Sequence, residues 1–585
     1  MTFASVPPVS SVAVRESLAE SFVIEGGQPL SGSIRAAGNK NGALPILAAT
    51  LLATEPVEVS NVPRIRDVAT MCELLADVGA DVEWTAPNEL RIDPGGASKT
   101  SLEPELCSRI RASFLLAGPL LARFGRATVP PPGGDVIGRR RLDPHIHALS
   151  ELGVEVTLNG AYDMHTAGLQ GKRIFLDEAS VMATENTVMA AATARGETVI
   201  GNAACEPHIQ DLCRFLVSLG ARIEGIGSNV LRIEGVERLG GGHWRIAPEH
   251  IEVISFVGLA AVTGSGITID DVEPKDLGAV LPTLERLGVH VEFDGTTLRV
   301  PADQELVIRD DLGGQIPKVE DGPWPAFPAD LTSIAVIVAT QARGTVLIFE
   351  KMFESRLFFV DKLVSMGARI ILCDPHRAVV TGPAKLYGQQ MSSPDIRAGM
   401  AMLLAALCAE GTSTIGNIGE IDRGYERIDE RLRSLGARVE RIEACCLVWA
   451  EPSRRGGCTR GWTSPGAARP ASRPACRCST TCSPCSPSTR RSTSRWRSRP
   501  GTPRPRSRRP AAPWGKRSRA RSRSRDIGAT VRRPCRPTRR WRTWSWRRRG
   551  ARSSSRTSTS ATRAWRGWAA TSWRPSCTAS PRAAG

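Results

Sequence analysis

Residues 211–225 read DLCRFLVSLGARIEG, and this stretch holds one complete helix-to-strand unit. Leu212, Phe215, Leu216 and Leu219 recur at i, i+3, i+4 and i+7, which places them on one helical face. Gly220 supplies the left-handed residue that ends a helix, and the alternating run after it reads as a strand. The unit recurs as MCELLADVGADVEW from Met71, HALSELGVEVTL from His147, LPTLERLGVHVEF from Leu281, VDKLVSMGARIIL from Val360 and ERLRSLGARVERI from Glu430. Its six glycines, Gly79, Gly153, Gly220, Gly288, Gly367 and Gly436, stand 67 to 79 residues apart. A repeat of that length exceeds the solenoid range of roughly 20 to 50 residues, so each copy contains several strands and helices around a small core. Six copies predict an α/β chain of two domains with three repeats each.

The chain has 585 residues and a net charge of +18, an average that describes neither of its parts. Beyond residue 450 stand 35 arginines and Lys516 against only Glu451 and Asp526, a charge of +34. The first 450 residues hold 41 basic and 57 acidic side chains, a charge of −16. An acidic body argues against a general nucleic-acid or anionic-membrane surface, so any anion it binds must be held by a local cluster of arginines. The body is long enough for two domains of roughly 200 residues each. The tail has no Leu, Met, Phe or Tyr, and Ile527 and Val531 are its only β-branched aliphatics. Burial there cannot offset chain entropy, and disorder is expected. Nine of the thirteen tryptophans lie in the tail among arginines, a pattern that binds polyanions non-specifically. Cys476, Cys478, Cys482 and Cys485 are unequally spaced with no histidine nearby, which argues against a metal knuckle.

The longest apolar runs, such as Met400 to Ala409, reach about half of the roughly 20 residues that a bilayer span requires. Pro7, Pro8, Arg15, Glu16 and Glu20 interrupt the region where a signal peptide needs a continuous apolar stretch. Cys72, Cys107, Cys205, Cys213, Cys373, Cys408, Cys445 and Cys446 follow no framework or ligand spacing, as expected of buried thiols in a reducing, cytoplasmic compartment.

Charged side chains cluster in Gly- and Pro-rich loops, where they face ligands rather than cores. Lys40 and Asn41 sit in GNKNG ahead of the apolar run Ala43 to Leu52. PPPGGDVIGRRR, residues 130–141, sets Asp135 beside Arg139, Arg140 and Arg141; guanidinium forks match phosphate and carboxylate geometry, whereas the bland alternative is a solvated turn. Asp330 in FPAD, Arg356 in FESRLF, Asp395 and Arg397 in SPDIRAG, and Asp422 and Arg423 in EIDRGYER repeat the pairing. Singly, each is an ordinary surface pair; together they describe a centre for a multiply charged anion with acid and base carboxylates.

The motifs GNKNGALPILAATLLA, RASFLLAGPLLARFG, the PGG loop at 132–134, NAACEPHIQD, FPAD and IDRGYERI carry a close resemblance, from about Phe22 to Glu443, to the UDP-N-acetylglucosamine enolpyruvyl transferases (1-carboxyvinyltransferases) of the EPSP synthase superfamily. The resemblance implies two inside-out α/β barrel-like domains of three repeats each. One is discontinuous, residues 22–39 and 248–443; the other, residues 40–247, carries the Asp135 loop; residues 1–21 are a flexible N-terminus and 444–585 a disordered basic tail. It also implies transfer of an enolpyruvyl group from phosphoenolpyruvate to the 3-hydroxyl of UDP-N-acetylglucosamine, the first committed step of peptidoglycan synthesis. Phosphate is released with no metal and no organic cofactor.

By the same resemblance Asp135 is the general acid, Asp330 the base near the accepting hydroxyl, and Asp395 a proton handler in the elimination. Lys40, Asn41, Arg140, Arg356, Arg397 and Arg423 hold phosphoenolpyruvate. Asn41, Arg111, Arg140, Arg141, Leu142, Asp143, Pro144, Ser180, Val181, Asp330 and Met352 contact the nucleotide sugar. Many members have Cys where this chain has Asp135, and the Asp form implies insensitivity to fosfomycin, because a carboxylate is a poorer nucleophile than a thiolate. Glu178 stands where Lys is frequent, Met182 where Gly is common and Ala329 where Thr or Ser is frequent, which leaves a different nucleotide or nucleotide-sugar acceptor as the alternative. A non-catalytic or nucleic-acid-binding protein acting through its tail is the reading from another class. The tail's composition also resembles a GC-rich gene read out of frame after the family's end near Glu443.

Overall fold

A computed structural model describes residues 20–135 and 137–442. The expectations for residues 1–19, for Cys445 and Cys446 and for the arginine-rich tail lie outside the described residues.

Each of the six repeated glycines takes a positive φ, between 87° at Gly288 and 110° at Gly220 and Gly367. That conformation ends a helix at no steric cost only where Cβ is missing. Each of the strands after these glycines is the edge strand of a different sheet, and the described residues contain six sheets. Five of these strands pair antiparallel with the next strand in the chain, as Arg222–Glu224 does with Val230–Glu234. The sixth, Arg438–Ile442, pairs antiparallel with Ser21–Glu25 at the start of the described chain. Phe22 and Ile24 of that first strand are fully buried, so the sixth unit is completed by residues some 400 positions away. Five sheets have four strands; in the sixth, Arg126–Val129, Glu155–Leu158 and Tyr162–His165, the outer parallel neighbour shrinks to a single bridge between Ser101 and Thr128.

The buried side chains form two cores. One gathers residues from Phe22 to Ala36 and from Ile251 to Val439; the other runs from Ala43 to Ile246. Three helices lie inside each: Lys40–Ala49, Ala117–Phe124 and Val181–Ala191 in the second, and His250–Thr263, Thr332–Gln341 and Ile396–Cys408 in the first. Thr332–Gln341 and Ile396–Cys408 carry apolar residues on nearly every side, the composition of a helix enclosed by protein. No described helix is long and apolar enough to cross a membrane. The described cysteines are free thiols, and Cys72, Cys107, Cys205 and Cys213 are buried. Cys373 departs from the expectation: it lies exposed on the edge strand Arg369–Asp374, where alternate side chains face solvent.

The helix-ending glycines differ in what surrounds them. A Cβ at Gly436 meets open space, whereas one at Gly288 would press into the backbone of Val307. Gly436→Ala is expected to cost about 1 kcal/mol for the left-handed backbone alone, and Gly288→Ala distinctly more; urea unfolding midpoints of the two variants check the order.

Candidate active site

Four of the six interior helices present their first turns to one cavity of about 260 Å3, and the turns that precede the other two also line it, so both cores contribute. Lys40 and Asn41 open Lys40–Ala49; Arg111 opens the turn that leads into Ala117–Phe124; Val181 begins Val181–Ala191. From the other core, His250 opens His250–Thr263, Asp330 sits in the turn before Thr332–Gln341, and Ile396 and Arg397 open Ile396–Cys408. Amide dipoles aligned in each helix leave partial positive charge at that end, so the fold brings positive potential to this cavity before any side chain is counted.

Side chains add to it. Lys40, Arg111, Arg140, Arg356, Arg397 and Arg423 line the cavity against Asp67, Asp135, Asp330, Glu185 and Glu206. Asp330 accepts from Arg356 at 2.9 Å and from Arg397 at 2.9 and 3.1 Å. Burial alone would push its carboxyl up, but these two guanidinium groups outweigh burial and hold it well below the ordinary carboxylate range. Arg397 also lies over the Tyr425 ring, 5.7 Å from its centroid. Asp67, nearly fully buried, bridges Lys40 Nζ at 2.8 Å and Arg423 Nε at 2.9 Å. Its burial is likewise outweighed by the two cations, which hold it below its usual value. Arg423 pairs in addition with Asp135 and with Glu420, the latter at 2.7 Å.

Arg140 and Arg111 stand apart. Neither forms a salt bridge among the described residues; Arg111 instead donates to the backbone carbonyls of Arg140 and Arg141 at 2.9 and 3.2 Å. Burial, with Arg140 adjacent, pushes the Arg111 guanidinium down to about 10, and burial lowers that of Arg140 as well. Among the described residues, two half-buried cations have no carboxylate partner and a buried Arg356 Nε has no acceptor, which leaves the cavity short of negative charge.

Of the residues singled out from sequence, Lys40, Asn41, Arg111, Asp135, Arg140, Val181, Asp330, Met352, Arg356, Arg397 and Arg423 line this one cavity. Others stand beside it. Asp395 caps Ile396–Cys408, accepting from the amides of Arg397 and Ala398 at 2.8 and 2.9 Å, and burial raises its carboxyl. Ser180 caps Val181–Ala191. Arg141 lies on the surface, paired with Asp143 at 3.3 Å, Asp177 at 3.2 Å and Glu178 at 3.7 Å, next to Leu142 and Pro144 where Asp143–Glu151 begins. Asp422, noted with Arg423, turns away to Arg441 at 2.9 Å.

Sequence reading missed Asp67, Glu185, Glu206, His208, His250 and Trp324, all of which line the cavity. Asp67 follows Arg66 at the start of a helix, where an acidic residue reads as ordinary dipole compensation. Glu185 lies in the polar run TENT of VMATENTVMAA, which reads from sequence as an ordinary helix surface.

The sequence profile of the EPSP synthase (3-phosphoshikimate 1-carboxyvinyltransferase) family matches residues 24–432. The chain is 58% identical over 421 residues to a UDP-N-acetylglucosamine 1-carboxyvinyltransferase of Bradyrhizobium diazoefficiens, covering 72% of this chain and 98% of that one. It is 52% identical over 419 residues to the protein of that name from Treponema denticola, with 72% and 98% covered. Among solved structures, the enolpyruvyl transferase NikO from Streptomyces tendae aligns with a TM-score of 0.65 at 24% identity, covering 72% of this chain and 99% of that chain. An EPSP synthase from Acinetobacter baumannii gives 0.58 at 18% identity, covering 72% and 100%. These two structures show the same fold.

Asp67 is the buried counter-charge most exposed to test. Asp67→Asn keeps the shape, strands the buried Lys40 and removes one of the three carboxylates around Arg423, for an expected loss of about 3 kcal/mol in thermal or urea unfolding at neutral pH. Because the folded-state pKa of Asp67 is depressed, its contribution is complete above the ordinary carboxylate range of about pH 4 and is lost as pH falls through the lower folded value. The difference between wild type and variant should therefore narrow only in acid.

Proposed function

The chain belongs to the EPSP synthase family and, within it, groups with the UDP-N-acetylglucosamine 1-carboxyvinyltransferases; on that premise we propose that it is the transferase that moves the enolpyruvyl group of phosphoenolpyruvate to the 3-hydroxyl of UDP-N-acetylglucosamine and releases phosphate. The observation that carries this reading is the surplus of cations: Arg140 and Arg111, half-buried and without carboxylate partners among the described residues, beside the first turns of four helices. A phosphate ester that also bears a carboxylate supplies the missing charge.

The acceptor hydroxyl attacks C2 while a proton reaches C3, giving a tetrahedral intermediate; loss of a proton from C3 and departure of phosphate then restore the double bond. Proton delivery calls for a positioned acid, and Asp135 takes that role. Its contact with Arg423 has to open first, and incoming phosphate competes for that guanidinium. Asp330 accepts the hydroxyl proton. Its present pairing makes it a weak base, and the same competition for Arg356 and Arg397 by the substrate's anionic groups restores its basicity. Lys40, Arg140, Arg356, Arg397 and Arg423 stabilise the negative charge that gathers on the leaving phosphate.

Phosphate release from phosphoenolpyruvate in the presence of UDP-N-acetylglucosamine tests the reading, and a panel of other nucleotide sugars tests the acceptor. Asp135→Asn is expected to lower kcat about 100-fold or more. Asp135→Cys is expected to turn over and to become sensitive to fosfomycin, whereas the wild type resists it. Deletion of residues 451–585 should leave turnover intact, since every proposed group lies before residue 424.

A further inference from the structure

The cavity has a second, chemically different wall. Glu185 projects from the second turn of Val181–Ala191, Glu206 precedes Pro207–Ser218, and His208 lies in the first turn of that helix. All three line the cavity, with Glu185 2% exposed and His208 6%. Oε1 of Glu185, Oε2 of Glu206 and both ring nitrogens of His208 have no hydrogen-bond partner among the described residues. Buried polar atoms are nearly always matched, so a cluster of four unmatched ones at a cavity wall marks a place where a ligand supplies the partners.

The chemistry of that ligand follows from the charge state. Burial, reinforced by Glu206, pushes the Glu185 carboxyl well above its ordinary range, and burial also raises Glu206. Burial pushes the His208 imidazole down to about 4. Burial thus favours the uncharged form of both side chains, and in that form each offers one donor and one acceptor. Such groups match hydroxyl and amide functions. They carry no positive charge to hold a second anion, a task left to the guanidinium groups of the cavity. Val181, Met182 and Trp324 complete this side with apolar surface, and the Trp324 carbonyl accepts from Cys205 Sγ at 3.4 Å, tying the two cores together beside Glu206.

We propose that Glu185, Glu206 and His208, whose buried polar atoms lack partners among the described residues, form a specificity wall that recognises the amide and hydroxyl groups of the acceptor sugar. The inference rests on the transferase reading above and deepens it by assigning the guanidinium groups to the phosphoester and Glu185, Glu206 and His208 to the sugar. These residues position the acceptor and take no part in bond making.

Steady-state kinetics of wild type, Glu185→Gln and Glu185→Leu with UDP-N-acetylglucosamine and with UDP-glucose, which lacks the acetamido group, test the wall. Gln reproduces the donor and acceptor of a protonated carboxyl, and KM for UDP-N-acetylglucosamine is expected to stay within about threefold of wild type. Leu fills the space and removes both; KM for that acceptor should rise about tenfold or more, KM for phosphoenolpyruvate should stay unchanged, and the preference over UDP-glucose should shrink. His208→Gln and His208→Leu repeat the comparison at an independent position should Glu185→Leu fail to fold. Leu variants that leave the acceptor KM unchanged, that shift both KM values together, or that match the Gln variants overturn the wall. A wild type that releases no phosphate with UDP-N-acetylglucosamine overturns the transferase reading itself, and the wall with it.

Discussion

Like charges held close together in a buried space are the constraint on which this structure depends. Four helix N-termini and six cationic side chains converge on one cavity, and each added cation raises the cost of the others. The fold meets that cost with aspartates placed between cations. Asp330 sits between Arg356 and Arg397, and Asp67 between Lys40 and Arg423. Compensation stops short of neutrality at Arg111 and Arg140, and that remainder gives the cavity its appetite for an anion.

The arrangement of counter-charges across the two cores has a functional side. Arg423 belongs to the segment that packs on the first core, yet its carboxylate partners Asp67 and Asp135 come from the stretch that builds the second. Asp330 and its two arginines, by contrast, come from one side only. An anion that draws Arg423 away from Asp135 therefore changes a contact between the halves, whereas one that draws Arg356 and Arg397 from Asp330 changes a contact within one half. Anion binding is thus linked to the contact between the halves through Arg423.

Local features of the fold were legible in the sequence. The helical spacing, the six glycines and the strands after them need only near-neighbour information, and each glycine takes the left-handed conformation its place predicts. Closure of the last sheet by Ser21–Glu25 was not legible, because SFVIE is a generic strand and its partner lies at the far end of the body. In the site, cations in Gly- and Pro-rich loops stood out because such loops rarely need them. Asp67, Glu185 and His208 did not, since a polar residue within a helix looks the same whether it faces solvent or an enclosed cavity. Burial decides the matter, and burial is a property of the assembled helices.

The rim and the interior divide the work of recognising a nucleotide sugar unequally. On the rim, Arg141 is shared among Asp143, Asp177 and Glu178, so a diphosphate arriving there competes with three carboxylates for one guanidinium. That group is also more than a third exposed, where solvent and salt weaken any ion pair. The interior offers the opposite conditions: unmatched cations at Arg111 and Arg140, and unmatched neutral donors and acceptors at Glu185 and His208, all in a low-dielectric setting where a missing partner costs most. Discrimination among acceptors follows the larger penalties. On the proposed reading it therefore falls on the buried wall and on Arg111 and Arg140, with the acidic rim contributing little.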